Sequence, residues 1–337
     1  MSKRFLAAAC AAATALALSA CSSAPSSEGN ASKDGTLTIM ASFYPLQYLA
    51  EKIGGEHVTV TSLTPAGAEP HDLELSPKTV DALASADAVV YLAGFQAAVD
   101  EAIEQQAPTT VIDVSPAADL VEANSSANHP SEDEDADEAQ SGESATEEHA
   151  DHDHEGHDHE GHHHDMSADP HFWLDPVRMA SAATLVGDKL AEADPANADT
   201  YKANAKALNE ELSALGDDLV AKTATCQIKT FVTAHTAFGY LADRTGLTQV
   251  GISGLDPDSS PSPARLAEIG QIAKDQGVTT IFTEALIDPK VAQTLADDLG
   301  ISTAVLDPIE SQTDSSKDYV AVMKDNINAL STANNCQ

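Results

Sequence analysis

Thirteen histidines are spread unevenly over 337 residues. Eight of them, His149, His152, His154, His157, His159, His162, His163 and His164, are interleaved with carboxylates and glycine in "HADHDHEGHDHEGHHHD", and His129 lies upstream of that run. The other four, His57, His71, His171 and His235, stand alone. Neutral imidazole ligates metals, so both populations could hold a cation, but by different means. A dense run in a segment without Val, Ile, Leu, Phe, Tyr or Trp holds ions in shifting geometries and carries an ordering cost at each capture. Isolated histidines at the ends of regular elements would make one fixed site.

The isolated ones fall in suitable places. His71 sits in "PAGAEPHDLELSP", past a strand over residues 57–63; His235 directly follows "KTFVTA"; Asp307 directly follows "STAVL". Ligands of open α/β sheets bind beyond the carboxyl ends of the strands. His57 precedes its strand, on the opposite edge, and reads as a surface residue. His171 opens a helix beside Pro170 and the single tryptophan, Trp173. Any one of these histidines also reads as a cap or a core residue. Together with Asp307 they supply three imidazoles and one carboxylate, the tetrahedral donor set of zinc; a harder ion such as manganese favours more oxygen donors.

The elements that must position these residues follow a strand, loop, helix rhythm. It runs through "TLTIMASFYPLQYLAEKIGG", "HVTVTSLTPAG", "DAVVYLAG" and "TTVIDVS", then restarts at "KTFVTA" and continues through "TQVGIS", "TTIFTE" and "STAVLD". Strands alternating with helices imply parallel sheets flanked by helices, hence two α/β lobes with the candidate site in the cleft between them. Residues 36–193 form the first lobe, residues 194–222 a linking helix opened by Asp194 and Pro195, and residues 223–337 the second lobe. Residues 122–168 interrupt the first lobe with Glu, Asp, Ser and His, a composition that cannot bury a core and predicts a disordered insertion.

The N-terminus carries Lys3 and Arg4, an apolar run over residues 5–20 and "LSAC" ending at Cys21. This is the pattern of an export signal over residues 1–20, and the run is about four residues short of a comfortable membrane span. It also resembles a bacterial lipobox, which would make Cys21 a lipidated N-terminus, residues 21–35 a flexible tether, and the chain an exported protein anchored to the outer face of the cytoplasmic membrane. An ordinary signal peptide with a chance cysteine is the alternative. Cys226 and Cys336 then remain in an oxidising compartment, where one disulfide is the expectation and two buried free thiols the alternative. With 17 Lys and Arg against 54 Asp and Glu, the net charge of -37 repels nucleic acid and attracts cations.

Taken in order, "GAEPHDLELSP", "DPHFWLDP", "AHTAFGYLADRTGL" with "QVGISGLDPDSSPSP", and "VLDPIE" resemble the metal-binding solute-binding proteins of ABC importers, in particular the high-affinity zinc-uptake branch. The resemblance covers residue 36 to the end. It implies two α/β lobes joined by a long rigid helix, a monomer, no catalytic activity, and delivery of Zn2+ to a membrane permease driven by an ATPase. It also implies His71, His171 and His235 as zinc ligands, with Asp307 at the position of the acidic fourth ligand, where water or a nearby carboxylate can substitute. Glutamate usually takes the third position in the manganese branch, so His235 argues for zinc. Glu284, in "FTEAL", is expected to orient a ligand from behind. The His-rich insertion matches in placement, and the eight histidines become an accessory, low-affinity collector. A manganese or iron receptor is the alternative within the family. A zinc hydrolase is another, but it would need an open coordination position with a carboxylate aimed at the water, and "GISG" lacks the spacing of a nucleophile elbow.

Overall fold

The computed structural model describes residues 35–122 and 168–337. Strands β1 (Leu37–Ala41), β2 (Val58–Ser62), β3 (Ala88–Tyr91) and β4 (Val111–Asp113) pair in parallel in the order β2-β1-β3-β4. Strands β5 (Thr230–Thr233), β6 (Thr248–Gly251), β7 (Thr280–Thr283) and β8 (Ser302–Val305) repeat that arrangement as β6-β5-β7-β8. The central strands are buried on both faces, which is why runs such as "AVVY" and "TFVT" are apolar or β-branched throughout instead of alternating. In each sheet the winding reverses beside the first strand, and the crevice at that switch point opens past the strands' carboxyl ends.

In chain order, a helical hairpin separates the two sheets, α5 (Pro176–Ala193) and α6 (Ala198–Thr223). Helix α5 starts where Asp175 caps the Val177 amide and Pro176 takes the first turn. The hairpin is tight because Gly187 has no side chain: a Cβ there would come within 2.3 Å of the Ala205 methyl. With 26 residues, α6 is about 39 Å long. It packs against α1 (Tyr44–Gly54) of the first half and against α7 (Gly239–Thr245) and α10 (Tyr319–Ala333) of the second, and so braces both lobes. Its start differs from the sequence expectation. Asp194 instead ends α5, its carboxylate accepting bonds from Asn197 Nδ2 (2.7 Å) and the Tyr201 hydroxyl (2.8 Å), and α6 begins after Asn197.

One apolar cluster runs through both halves, and a smaller one lies within each half. Phe43 meets Trp173 edge-on at 4.8 Å, and the Tyr48 and Tyr319 rings lie 5.4 Å apart. Cys226 and Cys336 form a disulfide joining the segment beyond α6 to the C-terminal tail beyond α10. His57 differs from its sequence reading: it is half-buried, set edge-on against the Tyr201 ring at 6.1 Å. The proposed signal, Cys21, nearly all of the tether and the eight clustered histidines lie outside the described residues. Glu122 and Ala168 pair as an antiparallel bridge, which brings the two ends of the described chain to one point. No helix among the described residues is long and apolar enough to cross a membrane.

Candidate metal centre

The site is built from four separate connections. His71 lies on the loop after β2, whose two ends are clasped by one buried side chain: Gln96 Nε2 donates to Thr64 Oγ1 and to the Pro70 carbonyl, both at 3.0 Å. Phe95 meets the His71 ring edge-on at 4.9 Å. His171 precedes a single 3-10 turn, Phe172–Leu174, with its ring tilted against Trp173. Its Nδ1 is 2.8 Å from Asp169 Oδ1, which also accepts the His171 amide. His235 comes two residues after β5; its Nδ1 is 2.7 Å from Glu284 Oε2, and its amide donates to Glu284 Oε1. Its carbonyl accepts from Thr233 Oγ1 and Gln249 Nε2. A carboxylate at Nδ1 keeps a ring proton there, so it is Nε2 of His171 and His235 that faces inward and offers a lone pair once its own proton leaves.

They converge with His71 on Glu310. Glu310 Oε1 lies 3.3 Å from Nε2 of His171, 3.3 Å from that of His235 and 3.5 Å from that of His71. The His171 Nε2 is 3.3 Å from its His71 counterpart and 3.4 Å from that of His235. Four donors around zinc at bonds of about 2.0–2.1 Å would be about 3.3–3.4 Å apart along the edges of their tetrahedron. Five of the six donor-to-donor distances therefore already match a zinc coordination shell, and all four atoms lie within 4.8 Å of one another. Glu310 Oε1 is buried and has no hydrogen-bond partner, and a buried anionic oxygen is costly unless a cation meets it.

Asp307 does not join this cluster. Its Oδ1 accepts the Ile309 amide at 2.8 Å, and Asn326 grips its backbone on both sides, accepting from the amide and donating to the carbonyl. Trp173 Nε1 donates to the Pro308 carbonyl at 2.7 Å. Asp307 thus shapes the turn, and Glu310, three residues on, faces the histidines. Between them Ile309 has φ +57°, in the left-handed region that a β-branched residue rarely enters. Such a conformation costs on the order of 1–3 kcal/mol and persists only where the surroundings over-determine it, as they do here.

Electrostatics set the three histidines apart. Burial opposes charging of His235, but Glu284 and Glu310 outweigh it and hold its pKa up to about 10. Burial opposes His171 as well, and Asp169 with Glu310 again prevails, raising it. His71 has no carboxylate bonded to its Nδ1 among the described residues; burial dominates and lowers it. The three imidazoles overcome the burial of Glu310 and hold it well below the usual carboxylate range. Glu69, which accepts the His71 amide, is pushed up to about 8 by burial and by Glu310.

Sequence reasoning missed Glu310 and Asp169. The signal for Asp169 was its position two residues before His171 in "DPH", the spacing at which a carboxylate can accept both amide and ring. For Glu310 it was the Asp-Pro pair of "LDPIE", which marks a turn whose aspartate bonds its own backbone.

The sequence pattern of the family described as zinc-uptake complex component A, periplasmic (ZnuA), matches residues 39–333. The chain is 34% identical over 323 residues to the high-affinity zinc uptake system protein ZnuA of Bacillus subtilis, covering 94% of this chain and 93% of that one. It is 33% identical over 301 residues to the zinc-binding protein AdcA of Streptococcus pyogenes, covering 88% of this chain but only 56% of the relative's length. Among solved structures, the Zn(II)-bound ZnuA-like domain of Streptococcus pneumoniae AdcA superposes with a TM-score of 0.68 at 29% identity, covering 89% of this chain and 99% of that one. With a match over most of its length and two parallel-sheet lobes around one converging cluster, this chain belongs to the ZnuA family.

Proposed function

We propose that the protein is the extracytoplasmic zinc receptor of an ABC importer, capturing Zn2+ and handing it to a membrane permease driven by an ATPase. The observation that carries this reading is the set of four donor atoms, three imidazole and one carboxylate, already at tetrahedral spacing and drawn from both halves of the chain. His71, His171, His235 and Glu310 are the proposed ligands of the cargo ion. Asp169 and Glu284 would hold two of the rings and raise their basicity. Three nitrogens and one oxygen favour zinc over manganese or iron, which prefer more oxygen donors. Four protein donors would also complete a tetrahedron and leave no open position for a reactive water, which supports a receptor and not a hydrolase.

Cys21 is the proposed lipid anchor, and the histidines of residues 149–165 an accessory collector that raises the local ion concentration. Release requires the permease to separate ligands of one half from those of the other. Because the halves share a core and the α6 brace, that separation is a local loop movement and not a wide swing.

Calorimetric competition between zinc and manganese, on the full chain and on His235→Ala, tests the proposal. One tight zinc event with weak manganese, lost in the variant, is the expected result. Manganese competing on equal terms would point to the other metal branch, and a tight event surviving in the variant would move the main site to the histidine-rich run.

A further inference from the structure

We propose that Ser311 is a latch: by accepting a hydrogen bond from the Gly67 amide, it ties the loop that carries His71 to the turn that carries Glu310, and so governs how fast a bound ion leaves. The inference rests on the zinc reading above and adds a residue outside the ligand set. The bond is 2.7 Å long and joins the two halves of the chain, and Ser311 is 5% exposed.

Both ends of this bond are prepared for it. On the first side, Gln96 holds the loop at Thr64 and Pro70, leaving residues 65–69 to arch toward the second half. Gly67 lies within that arch with φ +77°, and a Cβ there would meet nothing within 4 Å. The glycine is thus required by backbone direction and not by space, and that direction points its amide at Ser311. On the other side, Ser311 follows the turn fixed by Asn326, Trp173 and the Asp307 carboxylate, so its hydroxyl is an acceptor held in place.

Two ties would then join these loops, the ligands of a bound ion and the Gly67 to Ser311 bond, and only the second is made by residues that do not ligate.

Zinc release into excess chelator, followed by stopped flow on the full chain and on Ser311→Ala, tests the latch. Faster release by about fivefold, the equivalent of one ordinary hydrogen bond, is expected. The visible spectrum of the cobalt-loaded variant should match that of the wild type, because no ligand changes. An unaltered release rate would overturn the latch, as would a changed cobalt spectrum, which would assign Ser311 to site geometry. A wild type without tight zinc binding would overturn the zinc reading itself and the latch with it; tight wild-type binding with unaltered release in the variant would overturn the latch alone.

Discussion

The His235 corner and the His71 loop deliver the same imidazole nitrogen to the same point by opposite means. His235 stands two residues past a central strand, wholly buried, with its amide and Nδ1 bonded to Glu284 and its carbonyl to Thr233 and Gln249. His71 lies well beyond the end of β2 on a partly exposed loop, with no carboxylate on its outer nitrogen among the described residues. One ligand is preorganised by the sheet and the other is carried by a segment that can give. A receptor that must hold an ion and also surrender it needs both: fixed ligands supply selectivity, and an adjustable one supplies an exit.

The largest expected effect separates the two directly. His235→Ala should weaken zinc binding by more than about 100-fold, beyond the 10–100-fold range of losing an outer partner, because it also leaves Glu284 buried without its imidazole. His71→Ala should lose only about tenfold, since no carboxylate bonded to its outer nitrogen is left behind unpaired and a water can take the vacated corner. Equal losses in chelator competition would break the comparison.

Acidity should distinguish them next. In the ion-free protein His235 is held up to about 10, so zinc must displace a proton from its Nε2, and apparent affinity should fall about tenfold for each pH unit lowered between 8 and 6. His235→Ala should remove one proton from that slope, whereas His71→Ala should leave it in place, because burial already keeps His71 neutral. Calorimetry in buffers of different ionisation heat counts the protons. The same raised pKa gives the ion-free fold a stability that is fully present below the unfolded histidine value of about 6.5 and is lost as pH rises toward 10. Thermal melts should therefore show a falling midpoint over that window, with a flatter profile in Glu284→Gln.

Orienting carboxylates come third: Glu284→Gln and Asp169→Asn should each weaken zinc by about 10–100-fold while the fold is retained, as read by calorimetry. Smallest is Asp307→Ala. Losing the Ile309 amide's acceptor should loosen the turn by about 1 kcal/mol, roughly a fivefold loss of affinity and far less than that of Glu310→Ala.

These two residues also show where the sequence stopped being legible. The strands and the isolated histidines beyond them could be read because a parallel sheet writes its core as apolar runs and puts its ligands just after them. Asp307 fits that rule as well as any residue, since it comes two residues after β8. What excludes it is a local competition: an aspartate before proline can bond its own backbone, and here it does, so the available carboxylate is the one three residues later. Ile309 hid the answer further, because nothing in its residue type announces a left-handed backbone. Helix α6 was displaced for a related reason. Asp194 looked like a helix cap, but Tyr201 and Asn197 draw it to the end of the preceding helix. Polar side chains with several possible partners are where pattern alone fails.

The bridge between Glu122 and Ala168 turns the length of the histidine-rich segment into a matter of loop closure. Its two ends are pinned at one place across 45 residues, and the entropy of closing a loop grows only with the logarithm of its length. Shortening the segment to five residues would recover about 2 kcal/mol by that scaling. In evolutionary terms, such a root permits histidines to be gained, lost or rearranged in number without renegotiating the centre two residues past Asp169. The proposed collector and the proposed site could therefore adapt to metal supply at different rates.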